Sequence, residues 1–354
     1  MKLKIAFLGD ISLNGQYIDF YKKSVDPFIN ISPKLDDQNF VVGNLECMAQ
    51  GERGENLLKR PRLTTTLETF NYLKKLNIKV VSLAHNHVYD HLEDGFVKTT
   101  TWLDENSILH LGASQLKGNE STPLILEGNG ISIALLNYVT YDTNPNLPGK
   151  AQLYLNYFSK SKAASDIKKI RGEVDHIVMI LHWGGRIEGG FFPDFDQPSI
   201  GRNLIDAGAD LIIGHHSHTF QPYEVYNKKY IFYSLGNFCF SDYYFENEFT
   251  PLPRRRKLSG IVNVEFEKKY YHVNLSFFRS NGSSFSALPN FHYSQELRNF
   301  YFKQILKFKF PWYIYFLSQK HVLPIFHFLF RKDITFIIKV KRILISVKKR
   351  SSKK

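Results

Sequence analysis

The sequence predicts an α/β fold, a layered sheet core with helices outside, followed by a basic aromatic helical tail. Three observations support this. Short apolar runs alternate with longer amphipathic or polar stretches, the pattern of strands and crossover helices around a mostly covered sheet. Residues able to hold a cation come directly after those runs rather than lying within them. The excess positive charge is confined to the C-terminal end. A chain of 354 residues that is 43% hydrophobic has ample material for a core.

The expected strands, in order, are 3–8, 40–43, 79–83, 131–136, 176–181, 211–213 and 230–234. Between them, Leu67, Phe70, Leu73 and Leu76 recur at helical spacing, as do Ile200, Leu204 and Ala207, with Gly208 as a C-terminal stop. Segments 260–266 and 271–278 read as a closing antiparallel hairpin. The first apolar run, Ile5 to Leu8, is too short for a signal-peptide core and reads as a strand of a cytoplasmic protein. We therefore expect a folded domain over 1–280, a linker over 281–298 and a tail over 299–354.

The formal net charge of +13 lies in that tail, which carries 14 Lys and Arg against the single acid Asp333 and leaves the preceding residues neutral. Phe300, Tyr301, Phe302, Phe308, Phe310, Trp312, Tyr313, Tyr315 and Phe316 are interleaved with Lys303, Lys307 and Lys309. Pro311, Gln319, Lys320, His321, Pro324 and His327 interrupt the run 310–330, which argues against a membrane span. Alternating bases and aromatics, followed by 334–347 and a polybasic end, fit an interfacial segment on an anionic membrane surface, with packing on the domain as the other reading. Charge is the only feature in favour of nucleic acid, which is set aside. Cys47 and Cys239 are too few for a disulfide framework and read as small buried thiols.

The strand ends carry the chemistry. Asp10 comes after the first strand, Asn44 and Glu46 after the second, and His85, Asn86 and His87 after the third; His182 and the run Gly214-His215-His216-Ser217-His218 come after two later ones. In open α/β sheets, loops at the carboxyl ends of parallel strands converge on one crevice. Carboxylate, amide and imidazole together, without paired thiols, suit Mn, Fe or Zn at a hydrolytic site. His216 and His218, two apart, would project to one side of an extended segment.

Asn44-Leu45-Glu46, Asn86-His87 with Asp90, His182-Trp183-Gly184, the run from Gly208 to His218 and Tyr233-Ser234-Leu235-Gly236-Asn237-Phe238 resemble the CapA-like family. These are capsule-synthesis, poly-γ-glutamate biosynthesis proteins of the calcineurin-like metallophosphoesterase superfamily. The resemblance spans 4–242 and implies a calcineurin-like metallo-dependent phosphatase fold holding one or two divalent metal ions. It places Asp10 and His218 on one metal and Asn86, His182 and His216 on the second. Glu46 would bridge them, with Asn44 as the alternative. His87 would be the general acid, and a hydroxide between the metals the nucleophile. Asp90, Arg186 and Asn237 are then expected to support the site or meet the substrate, while His215 stays a supporting residue.

Three departures stand beside the resemblance. Asp10-Ile11-Ser12 replaces the usual Asp-x-His, Arg186 occupies a place where many relatives have an acid, and the hydrophobic segment of secreted members is missing. Arg186 could grip an anionic substrate; the basic run Arg254-Arg255-Arg256-Lys257 could attract phosphate or polyglutamate but reads first as a solvated loop. The expected function is a metal-dependent, phosphoesterase-like hydrolase of capsule or surface-polymer synthesis. It would act on an anionic polymer or a phosphoester from the cytoplasmic side, peripheral to the membrane. The alternative is a non-catalytic, membrane-associated assembly partner of polymer-synthase subunits.

Overall fold

The computed structural model describes residues 1–245, 248–305 and 308–323. Strands β1 (Leu3–Ile11), β2 (Phe40–Leu45), β3 (Ile78–Ser82) and β4 (Leu109–Leu111) are parallel neighbours in a first sheet. The chain then builds a second sheet from β5 (Leu124–Gly128), β6 (Ile131–Val139), β7 (His176–His182), β8 (Leu211–His215), β9 (Tyr223–Tyr226) and β10 (Lys229–Phe232). Its order is β9-β10-β8-β7-β6-β5. The chain returns to the first sheet with β11 (Asn237–Cys239), β12 (Leu258–Phe266), β13 (Tyr271–Ser280) and β14 (Phe285–Ala287). That sheet has eight strands in the order β14-β13-β12-β1-β2-β3-β4, with β11 paired parallel to β1 off this path.

Alternation along the strands explains the layers. In β1, Leu3, Ile5 and Phe7 point between the sheets, where they meet Ile133, Leu135, Val178, Ile180, Leu211 and Ile213 of the second sheet. Ala6 and Leu8 point the other way, into a core closed by Tyr17 of α1 (Gln16–Lys22), Leu73 of α2 (Asn71–Lys75), and Phe96 and Leu103 of α3 (Leu92–Glu105). Helix α4 (Lys160–Ile170) contributes buried Ala163 and Ile167 on the far side of the second sheet. Beside it, Gly201 of α5 (Gln197–Asp206) approaches Ile212 and Ile231 closely. The result is the layered α/β architecture expected, with every predicted strand present and extended by up to three residues or trimmed at an end.

The stretch expected as a linker, 281–298, instead forms β14 and much of α6 (Phe291–Ile305). The reason is packing. Phe302 is buried against Phe192 and Tyr233, and the Gln295 amide donates to the Gln221 carbonyl. The compact unit accordingly runs from Met1 to Phe302, with a second unit from Lys303 to Lys354. Within the second unit, α7 (Lys309–Leu317) stacks Trp312 on Phe316, and the Lys320 ammonium lies over the Phe316 ring. Among the described residues no helix is long and apolar enough to cross a membrane. The expected interfacial segment 334–347 and the polybasic end lie outside the described residues.

Candidate metal centre

Strand register brings the polar residues together. Asp10 sits opposite Asn44 of β2 on one side and Asn237 of β11 on the other, and Asn44 sits opposite Ser82 of β3. In the second sheet His182 sits opposite His215. The ladders of β1 shift register on both sides of Asp10, against β2 before it and against β11 after it, a local irregularity of the kind that re-aims a side chain. His216 and His218 do not reach the centre as alternating residues of a strand. β8 ends at His215, and His216 and His218 take positive φ values of 90° and 55°, so a tight turn delivers both rings. Such strained backbone persists where surrounding contacts over-determine it.

Two triplets of ligand atoms result: Asp10, Glu46 and His218, and Glu46, His182 and His216, each with its atoms within 4.8 Å of one another. Glu46 belongs to both. Its Oε1 lies 3.6 Å from His182 Nε2 and 3.8 Å from His218 Nε2, and its buried Oε2 has no hydrogen-bond partner. His216 Nδ1 is 3.1 Å from His182 Nε2, and Asn86 Oδ1 is 2.9 Å from the same nitrogen. Asn44 is engaged by its strand neighbours: its Nδ2 donates to Asp10 Oδ1 at 2.9 Å and its Oδ1 accepts from Ser82 Oγ at 3.0 Å. His215 Nδ1 lies 3.0 Å from the same Asp10 oxygen.

The network also orients the His218 ring. Asn237 Nδ2 donates to the Arg256 carbonyl at 3.0 Å, which turns Asn237 Oδ1 to His218 Nδ1 at 2.9 Å. An amide oxygen only accepts, so Nδ1 carries the hydrogen and Nε2 is left to face Glu46. His87 Nδ1 is held 2.6 Å from Asp90 Oδ2, which also accepts the Leu63 amide at 2.7 Å.

Burial dominates the electrostatics. It lowers the His182 and His87 pKa values well below the ordinary range, and it lowers His216 to about 4, keeping these imidazoles neutral. Burial likewise raises Glu46 well above the carboxylate range and Asp90 to about 7. His218 is the exception. Burial would lower it, but the carboxylates of Glu46, Asp10 and Glu188 overcome that and lift it to about 9. Burial would raise Asp10, and hydrogen bonds from His215 and His218 instead push it down. Neutral imidazoles, an orphaned carboxylate oxygen and a shared acid form a donor set suited to divalent cations.

Three residues in or beside the centre are not among the site residues expected from sequence. Glu188 Oε1 lies 4.0 Å from His218 Nε2 and 3.1 Å from the Arg256 guanidinium. Its sequence signal is the glycine cluster Gly184, Gly185, Gly189 and Gly190, which folds the loop after His182 back on itself. Arg256 comes from the basic run expected to be solvated. Lys59, 4% exposed, comes from the loop between β2 and β3, with no local signal. Arg186 does not face the centre; its guanidinium pairs with both carboxylate oxygens of Asp196, at 3.1 and 2.9 Å. Ser12 is also turned aside, donating to Asn14 Oδ1. Cys47 and Cys239 are buried thiols whose pKa values burial raises.

The profile of the bacterial capsule synthesis protein PGA_cap family matches residues 4–242. The chain belongs to that family. The match covers the residues on which the CapA-like resemblance rests. The capsule biosynthesis protein CapA of Bacillus anthracis is 29% identical over 253 residues, covering 68% of this chain and 60% of the relative. The PGA biosynthesis protein CapA of Bacillus subtilis (strain 168) is 29% identical over 252 residues, covering 67% of this chain and 63% of the relative. The chain therefore spans under two thirds of the length of either CapA. Among solved structures, the NAD nucleotidase of Haemophilus influenzae overlaps with a TM-score of 0.45 at 14% identity, over 87% of this chain and 56% of that one.

Proposed function

We propose that this PGA_cap protein is a divalent-metal-dependent hydrolase of the phosphoesterase type, acting in the synthesis of capsule, poly-γ-glutamate or a related surface polymer. The observation that carries the reading is the pair of ligand triplets sharing Glu46. Asp10 and His218 would hold one cation, His182, His216 and Asn86 the other, and Glu46 both. When bound, the cations supply an activated water as nucleophile and neutralise charge developing on the substrate. Asp90 fixes the His87 ring through Nδ1, and its carboxylate would stabilise the imidazolium that must form before Nε2 passes a proton to a leaving oxygen. Asn44 and His215 keep Asp10 aimed at the centre, and Asn237 holds the His218 ring through Nδ1 so that Nε2 would meet the cation once its proton is displaced.

Metal content after dialysis against Mn tests this reading in wild type, His216→Ala and Asp10→Ala. Each variant should lose metal, and unchanged content in both refutes the assigned ligands. The second reading, a non-catalytic assembly partner of polymer-synthase subunits, is favoured by Ser12, which is turned away to Asn14 and leaves the Asp10 cation three protein ligands. A screen of phosphodiesters and γ-glutamyl peptides with Mn separates the two. The substrate we propose is an anionic polymer or a phosphoester. Contact with an anionic membrane surface through the basic tail rests on its charge and on exposed Phe310, Tyr313 and Ile314.

A further inference from the structure

The Lys59 ammonium is deeply buried beside the centre, where it donates to the Asn144 carbonyl at 3.0 Å. Among the described residues no carboxylate lies within ion-pair distance of it; Asp90 and Glu46 act on it only from farther off. A buried ammonium without a paired anion is costly, and a methionine or leucine would fill the same space without that cost. The neighbouring cations are already engaged: Arg186 holds Asp196, and Arg256 holds Glu188.

The Asn86 amide links Lys59 to the ligands. With its nitrogen turned inward, Nδ2 donates to Glu46 Oε1 at 3.1 Å and His182 Nε2 at 2.9 Å, and Oδ1 accepts from Lys59 Nζ at 3.0 Å. With its oxygen inward, Oδ1 faces those same acceptors and the amide nitrogen faces the ammonium, donor against donor. The second orientation is favourable only when a cation lies between the acceptors. Lys59 then loses an acceptor and has a donor to spare.

We propose that Lys59 is the anion-binding group of this centre. Its ammonium receives an oxyanion of the substrate, phosphoryl or carboxylate, once the Asn86 carbonyl turns to a bound cation. Metal loading thus prepares the substrate site through one amide rotation. The inference rests on the metal-centre reading and goes beyond it by naming the residue and the ligand chemistry.

Calorimetry on the full chain tests it with wild type, Lys59→Met and Lys59→Gln. Mn²⁺ is titrated first, then inorganic phosphate or glutarate into the Mn²⁺-saturated protein. Both variants should bind Mn²⁺ as tightly as wild type or more tightly, because a cationic neighbour and a competing donor are gone. Both should lose about tenfold or more in affinity for one anion, the loss of a charge-assisted hydrogen bond. A loss for phosphate assigns a phosphoryl ligand, and a loss for glutarate a carboxylate. Either variant binding both anions like wild type overturns the proposal, as does wild type that takes Mn²⁺ but neither anion. Weaker Mn²⁺ binding and lower thermal stability together in both variants make Lys59 structural and overturn it too. Wild type that takes up no Mn²⁺ refutes the metal centre itself, and the first titration reads that failure separately.

Discussion

His182 Nε2 stands 3.6 Å from Glu46 Oε1, too far for a hydrogen bond. Two ligands held by one tetrahedral cation at bonds of about 2.1 Å would be about 3.4 Å apart. The pair is thus spaced for a shared ion rather than for each other. The same carboxylate oxygen faces His218 across 3.8 Å, so Glu46 joins the two halves of the centre.

His87 is close to these ligands but belongs to a different pair. Its Nδ1 is tied to Asp90 at 2.6 Å, and it is absent from both ligand triplets. His87→Ala should keep the wild-type metal content while losing about 10²- to 10⁴-fold in Mn-dependent hydrolysis of an activated phosphodiester, the usual contribution of a general acid. Metal analysis and initial rates on the same preparation check this. Loss of metal in step with activity would make His87 a ligand instead.

Gly9 sets how closely β11 can approach β1. A Cβ there would meet the Gly236 carbonyl oxygen at 2.0 Å, while the Asp10 amide donates to that same oxygen at 2.8 Å. Gly9→Ala should therefore destabilise the protein by about 1–3 kcal/mol, as overpacking does. It should also weaken metal binding, because Asp10 and Asn237 lose their register. Urea unfolding and a Mn titration measure the two effects; wild-type values in both would show that the strands part without consequence.

Asp210 should make stability depend on pH away from the centre. Burial would raise its pKa, but the Arg171 guanidinium at 2.5 Å, the Ile177 amide at 2.9 Å and the Lys229 ammonium at 3.0 Å together lower it. A carboxylate depressed in the folded state contributes stability above its unfolded value, about 3.9, and that contribution is lost as pH falls through the folded value. Asp210→Asn should cost about 2 kcal/mol at pH 7, and the difference from wild type should shrink steadily below about pH 4. Urea titrations across this range give the answer, and a cost independent of pH would mean the charge is not what matters.

The legible part of the molecule is its parallel-strand skeleton. Runs such as 3–8 and 176–181 are buried on both faces, so they read as continuous apolar segments, and the candidate ligands Asp10 and His182 lie at their ends. Asn44 is harder to place, because sequence does not show that its amide donates to Asp10 on one side and accepts from Ser82 on the other. The turn carrying His216 and His218 reads as extended in sequence, since nothing in Gly-His-His-Ser-His announces two positive φ angles. Lys59 and Arg256 arrive over long loops from distant sequence, where no periodicity operates. Residues 281–298 read as a linker, yet Phe285 and Phe291 within them, and Phe302 just beyond, are each spent on contacts with the body.

Metal stoichiometry in Glu46→Gln tests the central claim most directly. Equilibrium dialysis against Mn²⁺ followed by elemental analysis should give two ions per chain for wild type. Glu46→Gln should hold fewer than one, because both triplets lose their common member, whereas Asp10→Ala and His216→Ala should each lose one. Glu46→Gln that folds and still binds two ions would contradict the shared-carboxylate centre.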